Sequence, residues 1–138
     1  MAKQSGLGDY LALDDSGGSA RDISDNVTNY DIGNTQALLD STTISKSAME
    51  RLIGLGDLTV GITGIFDAAS NKIHDVLKTK SGTRTLTICI GGNTSGNPKL
   101  EAEVLVADYN ISRGTDGSLG VTATLNLQSG TVPTFSTV

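Results

Sequence analysis

The sequence predicts a mainly β fold: two packed antiparallel sheets, sandwich or barrel-like, flanked by one α-helix. Three observations carry that expectation. Between residues 57 and 66, Leu58, Val60, Ile62 and Phe66 share one parity, while Asp57, Thr59, Gly61 and Thr63 share the other. This is the alternation of a strand with one face in a core and one in water. Directly after it the period changes to nearly four, with Ala69, Ile73, Val76 and Leu77 on one stripe of residues 68–78, as in a short amphipathic helix. Finally, residues 99–113 and 118–128 alternate on either side of Gly114-Thr115-Asp116-Gly117, the pattern of a long hairpin.

The remaining elements follow in order. Residues 10–14 read as a first short strand. Residues 15–34, rich in Ser, Gly, Asp and Asn, read as a long loop or extended arm, a length that is uncommon in a compact domain and usually functional. Residues 36–43 and 48–54 read as two strands flanking the turn Thr43-Ile44-Ser45-Lys46-Ser47, with a short helix competing for the second. Asp67 suits the N-cap of the helix, Lys78 and Lys80 its C-terminal end, and Gly82 a left-handed stop. Residues 83–91 alternate again, with Leu86, Ile88 and Ile90 inward and Thr85, Thr87 and Cys89 opposite. In the long hairpin, Leu119, Val121, Ala123, Leu125 and Leu127 form one apolar face. The other arm changes parity between Ala102, Val104, Val106 and Tyr109, Ile111, which predicts a bulge near Ala107-Asp108. Residues 129–138 read as a flexible or docking arm. The whole is expected to be one domain, 1–138, with a flexible N-terminal segment.

The chemistry of a conventional active site is absent from the pattern. The net charge of −5 lacks the basic stripe of a nucleic-acid binder. The single cysteine, Cys89, sits mid-strand and reads as a buried small side chain. The single histidine, His74, lies on the helix with no Gly-x-Ser-x-Gly elbow elsewhere, so a catalytic triad is not expected. One His and one Cys far apart make no transition-metal site. Asp14-Asp15 and Asp22-x-x-Asp25 lack the spacing of a calcium loop. The glycine-rich residues 91–97 lack the Lys and following helix of a phosphate cradle. No catalytic residue, metal or cofactor is therefore expected. No signal peptide or apolar run long enough to span a membrane is read, so folding in a cytoplasm is the expectation, and the sequons at Asn26, Asn93 and Asn110 carry no weight.

The order of these features resembles the tail tube (major tail) proteins of long-tailed bacteriophages. The matching stretch is Ser47-Ala48-Met49-Glu50-Arg51-Leu52-Ile53-Gly54-Leu55-Gly56-Asp57-Leu58-Thr59-Val60-Gly61-Ile62-Thr63-Gly64-Ile65-Phe66-Asp67. The helix, the Thr-rich strand and the long hairpin follow it, so the match in pattern covers most of residues 36–128. The resemblance implies a structural virion protein in the tail-tube fold, assembled in a bacterial host cytoplasm. Such proteins form hexameric rings that stack into a conduit for DNA ejection. It also implies tape-measure, tail-terminator and distal-tail proteins as partners, and DNA that passes without specific binding. Six subunits of four strands would close a barrel roughly 50 Å across the backbone, or about 40 Å inside the side chains, wide enough for duplex DNA.

Within that reading, Asp40 and Glu50 are the lumen-facing candidates, with Glu101 and Glu103 weaker ones, because an acidic wall avoids counterion-release affinity for DNA. Thr43, Ile44, Ser45 and Lys46 are the ring-stacking candidates. Two alternatives stay open: a related tube from a contractile tail or type VI secretion-like system, and a monomeric carbohydrate-binding β-sandwich. The second is disfavoured because only Tyr10, Tyr30, Phe66, Tyr109 and Phe135 could stack on a sugar.

Overall fold

The computed structural model describes residues 3–138; the N-terminal segment read from the sequence begins at residues 1 and 2, which lie outside the described ones. Among the described residues, eight strands and one helix follow in the order β1 (Tyr10–Asp14), β2 (Ala20–Asp22), β3 (Val27–Asp40), β4 (Arg51–Ile65), α1 (Ile73–Leu77), β5 (Arg84–Cys89), β6 (Pro98–Arg113), β7 (Leu119–Leu127) and β8 (Phe135–Thr137). All pairings are antiparallel, and the strands form one hydrogen-bonded sheet in the order β2-β1-β5-β6-β7-β4-β3, with β8 on β6.

The two halves of that sheet share β6. Its first part pairs with β5 up to Val104, and its second part pairs with β7 from Val104 onward. The register shifts between Val106 and Asp108, where the parity change in the sequence predicts a bulge. The bulge turns the strand, so one half curls over the other. The start of β3 approaches the start of β1: the Tyr30 hydroxyl on β3 donates to the carboxylate of Asp9, just before β1, and Asp9 also accepts from Gly91 N at 2.6 Å. Burial, with Asp9 beside it, pushes the Tyr30 hydroxyl well above its ordinary pKa. Between the halves lies a single core of Leu11 and Leu13, Leu58, Val60 and Ile62, Leu86 and Ile88, Leu100 to Val106 at alternate positions, and Val121, Ala123 and Leu125. Cys89 is buried as expected, although it belongs to the parity read as outward.

Three expectations need correction. Residues 15–34 are not a long loop, since β2 and the first half of β3 lie within them. Their polarity belongs to a strand whose outer face is wet and whose one edge is unpaired, which mimics loop composition. The runs at 48–54 and 57–66 are one strand, β4; a register irregularity opposite Gln36 and Leu38 absorbs Gly54-Leu55-Gly56 without ending it. The 129–138 arm is docked at its end, where β8 pairs with Pro98, Lys99 and Leu100.

The helix is also shorter than its periodicity implies, five residues rather than eleven, and Asp67 does not cap it. The Asp67 carboxylate accepts from Ala69 N at 3.0 Å, holding the turn before the helix. The first helical amide, Ile73 N, instead donates to Asn26 Oδ1 at 3.1 Å, and Asn26 Nδ2 donates to Asp67 at 3.0 Å. A buried side chain from before β3 thus caps a helix 47 residues away. Gly64 makes room for it, because a Cβ there would lie 2.5 Å from the Asn26 carbonyl oxygen. Gly82 does adopt a positive φ of 86°, but in the approach to β5 rather than at the helix end.

Replacing Asn26 with Ala orphans the buried Ile73 amide and leaves the Asp67 carboxylate with Ala69 N as its hydrogen-bond donor. The expected cost is about 2 kcal/mol in urea unfolding, the combined size of a lost cap and an unsatisfied buried donor. The amide of Ala69 and then Asn26 hold the Asp67 carboxyl below its ordinary value of 3.8. Its stabilisation is therefore complete above that value and is lost as pH falls through the lower folded one. In Asn26→Ala the acid dependence should flatten, measurable by unfolding between about pH 5 and pH 2.

Candidate functional site

The half of the sheet formed by the second part of β6 with β7, β4 and β3 is open at both sides. β3 pairs with β4 alone, and beyond Val104 β6 pairs with β7 alone. Among the described residues, neither the outer edge of β3 nor that of β6 from Leu105 to Arg113 has a strand partner. Exposed edges of this length normally carry a charge or proline that blocks pairing. Here the β6 edge holds Asp108 and the terminal Arg113, and β3 holds Asp31 and the terminal Asp40, with no proline or lysine.

The outer face of these four strands follows from the pairings. Asn29, Asp31, Gly33 and Thr35 of β3 stand opposite Thr63, Gly61, Thr59 and Asp57 of β4. Thr59, Gly61 and Thr63 in turn stand opposite Asn126, Thr124 and Thr122 of β7, and the last two oppose Asp108 and Asn110 of β6. Most of these side chains are exposed, and none is Lys or Arg; the only charges are Asp31, Asp57 and Asp108. The opposite parity of the same strands forms the core. The outer face offers hydroxyls, amides and short carboxylates, with Leu105 and Ile65 exposed beside them, and no grip for a phosphate backbone.

Below that sheet a ribbon projects. The β3–β4 pairing continues to Asp40↔Arg51, whereas the β4–β7 pairing begins only at Thr59. Residues 36–56 are thus a two-stranded arm without a third strand. It exposes Leu38, Leu39, Ile44, Met49, Leu52, Ile53 and Leu55, with Ile44 fully exposed. Isolated two-stranded ribbons are marginal in water, and this one is apolar on both sides.

The sequence-derived candidates fall in two separate places. Asp40, Glu50, Thr43, Ile44, Ser45 and Lys46 are all at the exposed end of the arm. Asp40 accepts from Thr42 N at 2.9 Å, which holds its carboxyl below the ordinary value. Thr42 Oγ1 also accepts from Glu50 N at 2.8 Å, Thr43 and Ser45 share a hydroxyl contact of 3.1 Å, and Lys46 pairs with Glu50 at 3.3 Å. Glu101 and Glu103 lie on the outer face of the other half, opposite Thr87 and Thr85; Glu103 accepts from the Thr85 hydroxyl at 2.6 Å. The structure does not bring the four acids onto one surface. Asp31, Asp57 and Asp108, which do share a face, were not singled out from the sequence. The signal was present in the wet parity of Thr59, Gly61 and Thr63.

Among the described residues no cluster of His, Cys, Asp and Glu could hold a metal, and no helix is long and apolar enough to cross a membrane. His74 is held by Tyr109, its Nδ1 3.0 Å from the hydroxyl, and packs on Phe66.

No family model matches the chain, and no curated protein matches it in sequence. Solved structures do match its fold. A chain in the tail of an empty gene transfer agent particle, solved by helical refinement with C6 symmetry, superposes with a TM-score of 0.72 at 13% identity, covering 99% of both chains. A chain in the virion of a native gene transfer agent particle superposes with a TM-score of 0.71 at 12% identity, again over 99% of both. The chain therefore has the fold of a protein found in particle tails: mainly β, antiparallel and nearly without helix. The resemblance raised by the sequence thus meets full-length structural neighbours that lie in phage-like particles, one of them in the tail.

Proposed function

We propose that this chain is a structural tail-tube protein whose copies close into hexameric rings, stacked into a conduit for DNA. The observation that carries the reading is the four-stranded open sheet with two free edges and one non-basic face. In the order β6-β7-β4-β3 every neighbour is antiparallel, so the outermost strands run in opposite directions. When identical copies are arranged around an axis, β3 of one meets β6 of the next antiparallel, and every pairing around the ring has the same sense. An odd number of strands would break that regularity. Closure removes both edges at once. The C6 symmetry belongs to the neighbouring tail structure; six copies of this sheet would give the barrel of about 50 Å computed from strand spacing.

The lumen wall in this reading is the face of Asp31, Asp57 and Asp108 with its Thr and Asn neighbours, rather than Asp40, Glu50, Glu101 and Glu103. It repels DNA over about 8 Å at physiological salt and has no cation to trap it. The projecting arm supplies the stacking contact, with Thr43, Ile44, Ser45 and Lys46 at its end. The tape-measure, terminator and distal-tail partners follow from the same reading.

Negative-stain electron microscopy of the purified, concentrated protein tests it. Stacked rings or hollow tubes with a lumen wider than duplex DNA are expected; a monodisperse monomer under all assembly conditions, including added tail initiator proteins, would count against it. The edges have their own test. Consecutive residues of a strand point their amides to opposite sides, so one of Gly33 and Asn34 donates into the free edge. Proline at that position should leave the monomer folded and abolish rings, whereas proline at the other should break the β3–β4 ladder and unfold the arm. Light scattering and circular dichroism of both variants separate the two.

A further inference from the structure

The arm has a length that can be compared with the sheet it leaves. β4 contributes seven residues to the β7 pairing, Thr59 to Ile65, and six, Arg51 to Gly56, to the arm's shaft. At about 3.3 Å per residue each stretch spans about 20 Å. A copy stacked in line one sheet-height away would therefore meet the arm's tip near the level where its own arm begins.

That level holds a groove of about 390 Å³. It is lined by Glu101 and Glu103 on one side and by Val132 and Pro133 on the other. The groove exists because the chain leaves β6 after Gln128 N bonds to the Glu103 carbonyl and returns only at Phe135↔Leu100. It sits at the root of the arm, since a Cβ on Gly56 would strike Val132. Its charges are Glu101 and Glu103, with no cation in the lining. The outermost residues of the arm, 42–48, carry one charge, Lys46, and one fully exposed apolar side chain, Ile44. Lys46 is paired only with Glu50, across a half-exposed contact of the kind that contributes little.

We propose that this groove seats the hairpin tip of a second copy of the chain, with Ile44 against Val132 and Pro133 and Lys46 facing Glu101 and Glu103. The inference rests on the tube reading and adds the address of the stacking contact. It also accounts for acids on a surface away from the lumen.

The test uses Lys46→Cys with Glu103→Cys in a Cys89→Ala background, oxidised after assembly. Denaturing gels should give a ladder of linked chains longer than a dimer, because each copy offers one tip and one groove. Tubes of ordinary appearance that yield only monomer would overturn the seat. If the cysteine variant does not assemble, Glu101→Lys with Glu103→Lys should reduce tubes at least tenfold while leaving single rings, and adding Lys46→Glu should restore them. Unchanged tube yield in the reversed-groove variant would also overturn it. Absence of rings and tubes from the unmodified protein would fail the tube reading itself, a distinguishable result.

Discussion

Replacing Arg84 with Leu should cost on the order of 4 kcal/mol and leave the protein mostly insoluble, a large share of the stability of a domain this size. Arg84 is 1% exposed, and its guanidinium donates to backbone carbonyls alone: Val76 at 2.8 Å, Asp14 at 3.1 Å, Ser81 and Thr79. Val76, Thr79 and Ser81 belong to the helix and the turn after it, whose carbonyls have no further helical turn to receive them. Asp14 ends β1. One side chain on β5 therefore ties the helix to the strand beside it. Burial lowers the pKa of the guanidinium, and the nearby Asp15 and Asp14 pull it back up. Leucine would fill part of the volume and leave at least two buried carbonyls without donors. Arg84→Lys should recover only part of the loss, because an ammonium cannot reach a planar spread of acceptors from one point. Urea unfolding of the soluble fraction measures both. A loss under 1 kcal/mol for Arg84→Leu would mean that water replaces the guanidinium.

Arg84 also marks where sequence reading stops. Its parity with Leu86 and Ile88 puts it on the buried face, yet nothing local says that four carbonyls from elsewhere will meet it. The same holds for Asn26, whose partners Ile73 and Asp67 are distant in sequence. By contrast, β7 and the β6 bulge were legible because each is written in a period of two, and β1 because it is a short apolar run whose Leu11, Ala12 and Leu13 are all buried. The bulge at Val106 and Asp108 is the clearest case, since a parity change has few other causes. β3 was missed at its start because an edge strand with one wet face has the composition of a loop. The candidate site was legible only in part. The arm's turn was found from its turn residues, but which acids share a surface depends on the strand pairings. Those pairings gather Asp31, Asp57 and Asp108 and separate Asp40 from Glu101.

Introducing lysine on the polar sheet face should have the largest effect on function and almost none on folding. Thr59 and Thr122 are exposed and point away from the core, so Thr59→Lys with Thr122→Lys should change stability by no more than about 0.5 kcal/mol. In a hexameric ring each substitution becomes six cations on the lumen wall, repeated at every ring. Each cation that meets a phosphate contributes close to one unit to the salt dependence of DNA binding. Tubes of the double variant should therefore assemble normally yet retain duplex DNA, with affinity falling steeply from about 50 to 200 mM salt. Particles carrying them should eject DNA at least tenfold more slowly. Thr59→Glu with Thr122→Glu keeps the shape change and reverses the charge, so ejection should stay near the unmodified rate. Glu101→Lys, on the other half of the sheet, should not retain DNA in any tubes that form. If tubes carrying the lysines at 59 and 122 show no affinity for DNA while tubes of Glu101→Lys retain it, the lumen lies on the opposite surface and the ring must close through the β5 side.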